Sequence, residues 1–279
     1  MRGIVVVEAP LNALKFETDK GKSTARAKVI AAVHDSTGRV VWSADKEVNV
    51  RVKAGDLAER RQGSLFLVRE VTLPGGSEYA VEAKVEDLQT NDAKTIQTPI
   101  VPAKGVPGLN ASDAMFVRKL DSADSFESDQ TISFENTALA PVLDPVFPAG
   151  RKFGMQLFFV VYPDINGAQP EMSVQLTKDG KVAAQGALPF KNKLHEKAFE
   201  GKNSASLSGG GGVLGLPALL TSHGQQAHEF PYLANLQFSQ LPAGDYEAVI
   251  TVHQGGGTIT RSVPFRVAGT PPPEPQAAK

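Results

Sequence analysis

The sequence predicts an all-β chain made of two tandem immunoglobulin-like or fibronectin-like β-sandwich domains. Three observations carry that prediction. Short Val-rich segments alternate with a period of two between turn signals, one short helical candidate occurs in 279 residues, and LPGGSEYAVEAKVED from Leu73 is echoed by LPAGDYEAVITVHQG from Leu241. Strands without covering helices bury one face only against another sheet, which points to a sandwich.

In the first half, Ala27, Val29, Ala31 and Val33 form one face of a strand while Lys28 and Ile30 lie on the other. The turn Asp35-Ser36-Thr37-Gly38 follows, and Val48, Val50 and Val52 resume the alternation. Asp56 to Gly63 is the helical candidate, a few helix formers between two glycines and too short for a core helix. Ser64 to Leu73 opposes Leu65 and Leu67 to Phe66 and Val68. After Pro74-Gly75-Gly76, the strand Tyr79 to Asp87 places Tyr79, Val81, Ala83 and Val85 on one face. A last strand, Thr95 to Val101, runs into VPAKGVPG, where proline ends sheet pairing. The half holds roughly six short strands and at most one helical turn.

In the second half, Leu109 to Ser133 reads as a strand, an acidic loop LDSADSFESD and another strand, and TALAPVLDPVFPAG, with three prolines, reads as largely irregular or edge-like. Lys152 to Tyr162 is the strongest central strand. Glu171 to Lys178 and Val182 to Gln185 form a hairpin through Asp179-Gly180. Strands return at Tyr232 to Leu241, Asp245 to His253 and Thr258 to Val267. The domains are therefore set at residues 1-104 and 105-268, the second carrying a Gly-rich loop at 203-222, and 269-279 is a flexible Pro-rich tail. The echo supports two domains: Leu-Pro-x-Gly turns the chain between sheets, and the Tyr that follows sends its ring inward and its hydroxyl to nearby backbone.

Composition excludes several classes of function. A net charge of -1 provides no field for nucleic acid or anionic lipid. With no cysteine there is no disulfide framework, thiolate nucleophile or cysteine-ligated metal. The longest apolar runs, Gly3 to Val7 and Leu157 to Tyr162, fall short of the roughly 20 residues of a membrane helix. MRGIVVVEAP lacks the features of a signal peptide.

Few residues suggest chemistry. His223 and His228 flank a short loop segment and, with Glu229, make an incomplete metal set without an HExxH pattern; ordinary loop residues are the simpler reading. His34 and His253 read as hydrogen-bonded residues beside turns. Asp121, Asp124, Glu127 and Asp129 supply oxygen ligands but no calcium-loop spacing. No GxSxG elbow, phosphate loop or dinucleotide fingerprint occurs. Val213, Leu214, Leu216, Leu219 and Leu220 follow four consecutive glycines and form a candidate apolar interaction loop. Trp42, Phe158, Phe159 and Tyr162 read as packing residues.

The segments AKVIAAVHDSTGRVV, FLVREVTLPGGSEYAVEAKVEDLQT, PIVPA, FPAGRKFGMQLFFVVYPD, MSVQLTKDGKVA and FSQLPAGDYEAVITV together resemble the strand-rich region that follows the von Willebrand factor A domain in acidobacterial VWFA-related proteins. The resemblance spans about residues 20 to 267 and implies export to the periplasm, cell envelope or exterior. The A domain itself and its DxSxS metal motif are missing here, so no site residue is carried over. The expected function is a non-catalytic structural or protein-interaction module without cofactors, whose partner is another protein or another domain of a longer parent chain. A small-ligand or carbohydrate-binding module is the alternative, and a hydrolase built on His223 or His228 is the third reading.

Overall fold

The computed structural model describes residues 2–74, 77–101, 104–120, 131–134, 137–150, 153–188, 229–238 and 241–269. The chain is nearly all β, with a β-sandwich-like fold and one α-helix of four residues among the described residues. It forms two compact units, the first built on Met1–Pro102 and the second on Ala103–Leu120 and Ser133–Lys279. No helix among the described residues is long and apolar enough to cross a membrane.

The first unit contains β1 (Arg2–Pro10), β2 (Glu17–Asp19), β3 (Lys22–Asp35), β4 (Val40–Lys53), the helix α1 (Leu57–Arg60), β5 (Ser64–Thr72), β6 (Tyr79–Asp87) and β7 (Ala93–Ile100). It holds seven described strands where the sequence suggested six, and they are not all short: β3 and β4 each run 14 residues. Opposite charges pair diagonally across this hairpin, Lys28 lying 3.2 Å from Asp45 and Arg26 3.8 Å from Glu47. β3 is the central strand. β4 takes one edge of it, β2 and β6 share the other, and β7 pairs with β6. Alternation places Val29, Ala31 and Val33 inward, all fully buried, against Val5, Val7, Leu67 and Val71 of the separate β1–β5 pair. The small side chains of Ala25, Ala27 and Ala31 let Leu11, Leu65 and Leu67 fill the space between layers.

The second unit contains β8 (Asn110–Ala111), β9 (Met115–Lys119), β10 (Ile132–Phe134), β11 (Thr137–Val142), β12 (Val146–Pro148), β13 (Phe153–Tyr162), β14 (Glu171–Lys178), β15 (Lys181–Leu188), β16 (Phe230–Phe238), β17 (Gly244–Gln254) and β18 (Gly257–Ala268). One sheet runs β10-β11-β9-β13-β16, with β8 also on β13; the other runs β12-β18-β17-β14-β15. Their inner faces meet in one core, in which Met155, Leu157, Phe159 and Val161 of β13 face Val174, Leu176, Ile250 and Val252. Phe116, Phe147, Phe153, Phe265 and Tyr246 fill one end of it, with Phe147 stacked on Phe153 at 4.9 Å and Tyr246 on Phe265 at 5.3 Å.

One expectation needs correction here. TALAPVLDPVFPAG is not largely irregular, because β11 and β12 both come from it. β12 does lie at a sheet edge, in parallel register with β18, and there Pro148 lacks an N–H without breaking an inner ladder.

The corner tyrosines match in detail. Tyr79 is buried and its hydroxyl donates to the Pro74 carbonyl at 3.0 Å; Tyr246 is buried and donates to the Pro242 carbonyl at 2.9 Å. Each hydroxyl satisfies a carbonyl of the turn that delivers the chain into its strand, so one side chain fills the core and fixes the corner. Burial, with the charge of Asp179 adding to it, raises the Tyr246 phenol above its ordinary value and keeps it a donor. Two other turns follow their local chemistry. Asp179 and Gly180 adopt φ of 50° and 72°, the left-handed pair that a tight hairpin requires. In the β3–β4 turn, Asp35 Oδ1 accepts from the Thr37 hydroxyl at 2.6 Å, the Thr37 N–H at 2.9 Å and the Arg39 N–H at 3.1 Å. The Thr37 hydroxyl is the largest influence holding the Asp35 carboxyl down at about 2, with the two N–H groups and the Arg39 charge acting the same way.

Two measurements check these devices. Replacing Tyr79 or Tyr246 by Phe removes a hydrogen bond while keeping the ring, and each is expected to lower stability by about 1 kcal/mol in urea unfolding; an unchanged midpoint overturns the assignment. Asp35 is expected to titrate at about 2 by carboxyl-carbon NMR, below the ordinary 3.8. Because the folded value is the lower one, its contribution to stability is full above pH 3.8 and disappears as pH falls through about 2.

Candidate functional site

A concavity lies at one end of the second unit, where three chain segments converge. β17 and β18 are joined by Gly255-Gly256, Gln254 pairing with Gly257 across the turn, and Gly255 has φ of 57°. Gln254 is a buried polar side chain at the last position of β17. Its Nε2 donates to the carbonyls of Asp164 at 2.7 Å and Ala168 at 2.6 Å, and its Oε1 accepts the Asp164 N–H at 2.9 Å. One amide thereby lashes the β13–β14 loop to the hairpin tip. Asp164 then shapes that loop, its Oδ1 accepting the Asn166 N–H at 2.9 Å.

The third wall is the turn Val106-Pro107-Gly108-Leu109, closed by hydrogen bonds in both directions between Val106 and Leu109. Arg261 on β18 anchors it. The guanidinium donates twice to the Ala111 carbonyl, at 2.8 and 3.0 Å, and also to the Lys104 carbonyl at 2.9 Å and Asn110 Oδ1 at 3.2 Å. A planar fork with five donors suits this cluster of acceptors, which a lysine ammonium does not match. Two glycines are needed by the geometry. Gly108 has φ of 78°, and a Cβ on Gly257 would come within 2.9 Å of Val106. The result is a cleft of about 670 Å³ walled by Gly108, Gly167, Gly255, Gly256 and Gly257 together with Val106, Leu109, Asp164 and Thr258. That volume lies in the range of ligand sites. Asp164 is the one ionisable lining residue, set among glycine backbone and the apolar side chains of Val106, Pro107, Leu109 and Ala168.

The residues singled out from sequence do not assemble into this site. His34 Nδ1 lies 3.2 Å from the Gly38 carbonyl, and its Nε2 lies 3.9 Å from Glu82. His253 Nδ1 lies 2.9 Å from the Thr258 hydroxyl, one residue from the cleft. Glu229 is half-buried directly before β16. His223, His228, Val213, Leu214, Leu216, Leu219, Leu220 and the acidic set Asp121, Asp124, Glu127 and Asp129 lie outside the described residues. Among the described residues no three His, Asp or Glu side chains gather as metal ligands. Trp42 is half-buried and packs against the core of the first unit. What the sequence reading missed was the cleft itself. Its one signal was Gln254-Gly-Gly-Gly, where a polar residue falls on the inward parity of β17.

The sequence matches no protein-family model and no curated protein. Among solved structures, the transglutaminase of red sea bream is similar at 10% identity, with a TM-score of 0.24, over 96% of this chain and 29% of that one. This chain thus spans less than a third of that protein's length. A likeness at this level carries no functional argument.

Replacing Arg261 by Lys is expected to destabilise the protein by about 1–3 kcal/mol, because carbonyls packed against the guanidinium lose their donors. Hydrogen exchange should quicken at Val106 to Ala111 before it does in β13. Unchanged exchange there removes Arg261 from the anchoring role.

Proposed function

We propose that the chain is a non-catalytic protein-interaction module of an exported or cell-envelope protein, with the cleft of the second unit as one contact surface. The observation that carries this reading is a glycine-walled concavity whose frame is fastened by Gln254 and Arg261 and whose lining mixes apolar side chains with one carboxylate. Small and apolar walls around one carboxylate suit the seating of another chain's segment. Ordering losses on binding are small because the walls are already held. Nucleophilic or acid–base turnover calls for paired groups within hydrogen-bond reach, and the lining supplies a lone carboxylate.

A photo-crosslinking residue at Gly256, where a side chain meets open space, tests the reading. The expected result is one dominant adduct from envelope extract of the producing cells, competed by unlabelled protein and lost when Gly257→Val closes the cleft against Val106. Turnover of ester or peptide substrates that Asp164→Asn abolishes would count decisively against it.

A further inference from the structure

The loop that Gln254 clasps carries the one asparagine of the sequence that is followed by glycine, Asn166-Gly167. Such a pair has a reaction of its own. The backbone nitrogen of the second residue can attack the side-chain amide carbon of the asparagine, and glycine favours this because no Cβ hinders the approach or restricts the backbone. Three observations place that chemistry in this fold. Asn166 and Gly167 are both exposed, in the segment between β13 and β14 that joins no described ladder. Packing calls for glycine at 167, since a Cβ there would come within 3.3 Å of both the Asp164 carbonyl and Gln254 Nε2. The attacking atom is also held. The Gly167 N–H donates to the Asp164 carbonyl at 3.1 Å, the same oxygen that accepts Gln254 Nε2 at 2.7 Å. Gln254 Nε2 reaches the Ala168 carbonyl as well, at 2.6 Å, so the clasp brackets the pair from both sides. The Asn166 N–H is fixed in turn by Asp164 Oδ1 at 2.9 Å. Ring closure requires the Gly167 nitrogen to leave its carbonyl and turn toward the Asn166 side chain, and the loop must open first.

We propose that Asn166 is a self-modification site at the rim of the cleft, deamidating through Gly167 at a rate that the Gln254 clasp governs. In the opened loop the Gly167 nitrogen gives up its proton to solvent and attacks Asn166 Cγ. A new C–N bond closes a cyclic imide, the bond from Cγ to the side-chain nitrogen breaks, and that nitrogen takes up a proton and leaves as ammonia. Water then opens the imide at either carbonyl, giving aspartate or isoaspartate. The balance is one water in and one ammonia out, with no oxidant or reductant. Both products put a new carboxylate close in sequence to Asp164, the one ionisable residue of the cleft lining. Isoaspartate also adds a methylene to the main chain between the two carbonyls that Gln254 holds, so the clasp no longer fits both. The change runs one way and alters the cleft for the remaining life of the molecule. It does not depend on whether the cleft seats a partner.

The full chain, held at neutral pH and sampled over weeks, provides the test. Peptide mapping by mass spectrometry follows the exchange of ammonia for water at each asparagine, and an isoaspartate-specific methyltransferase counts the rearranged product. Asn166 is expected to convert faster than any other asparagine, and Asn166→Gln to abolish that product. The loss of ammonia separates it from Asp179-Gly180, where the same ring closure would release water. Gln254→Ala unfastens the bracket and is expected to raise the rate about tenfold, because the opened loop gains population by the worth of the lost hydrogen bonds. Should that variant fail to fold by circular dichroism, the wild-type chain in urea below its unfolding transition decides: deamidation of Asn166 and hydrogen exchange of the Gly167 amide should quicken together. The proposal is overturned if another asparagine reacts faster, if the folded chain stays intact at Asn166 while the unfolded chain reacts there, or if the rate ignores both Gln254→Ala and the opening seen by exchange.

Discussion

Every strand in this protein needs hydrogen-bond partners on its edges and apolar cover on a face, and β3 and β13 show how both needs are met. β3 has β4 along one edge and β2 with β6 along the other, and its inward side chains are fully buried. β13 has β16 on one edge and β8 with β9 on the other, and its inner face carries Leu157, Phe159 and Val161. Each unit is assembled outward from such a strand. Burial of apolar surface supplies the main driving force, and the ladder restricts where each side chain points. With no cysteine, no covalent link supplements this arrangement, so the completeness of the two central strands carries the burden that disulfides bear in smaller exported domains.

The corners show how local sequence serves that plan. In both units the chain leaves one layer through Leu-Pro, and the Leu itself is buried, as Leu73 and Leu241. The tyrosine that follows then enters the core and returns its hydroxyl to the proline carbonyl. This device was readable in the sequence because all its parts lie within seven residues, so spacing alone brings them together. The alternation of β3, the Asp-Gly hairpin and the central character of β13 were readable for the same reason. β11 and β12 were not, because whether a proline interrupts a ladder depends on which edge its nitrogen faces, and neighbouring strands decide that.

The cleft was the least legible part, and its chemistry explains why. Arg261 reads as an ordinary solvent-facing residue of an alternating strand, yet its acceptors belong to Lys104, Asn110 and Ala111, about 150 positions earlier. Gln254 looks like a turn residue until Asp164 and Ala168 are brought within hydrogen-bond reach by the β14–β17 pairing. Neither contact has a spacing rule. Gln254 is buried and the Arg261 side chain is partly so, and polar groups in such places are costly if left unpaired.

The same accounting separates the cleft from the edge of the first unit's sheet. At the cleft, polar groups of the frame are satisfied internally, and what faces outward is glycine backbone beside apolar side chains. That surface offers apolar and polar area together around a single carboxylate. In the first unit the described layer opposite the β4-β3-β6-β7 sheet is the β1–β5 pair. Lys94 and Pro99 bracket Thr95 to Thr98 on β7, the charge and missing donor by which natural edges resist indiscriminate pairing. Ile96 shows what such an edge permits: it stands level with buried Ala83 in register and is itself exposed, on the last described strand of its sheet.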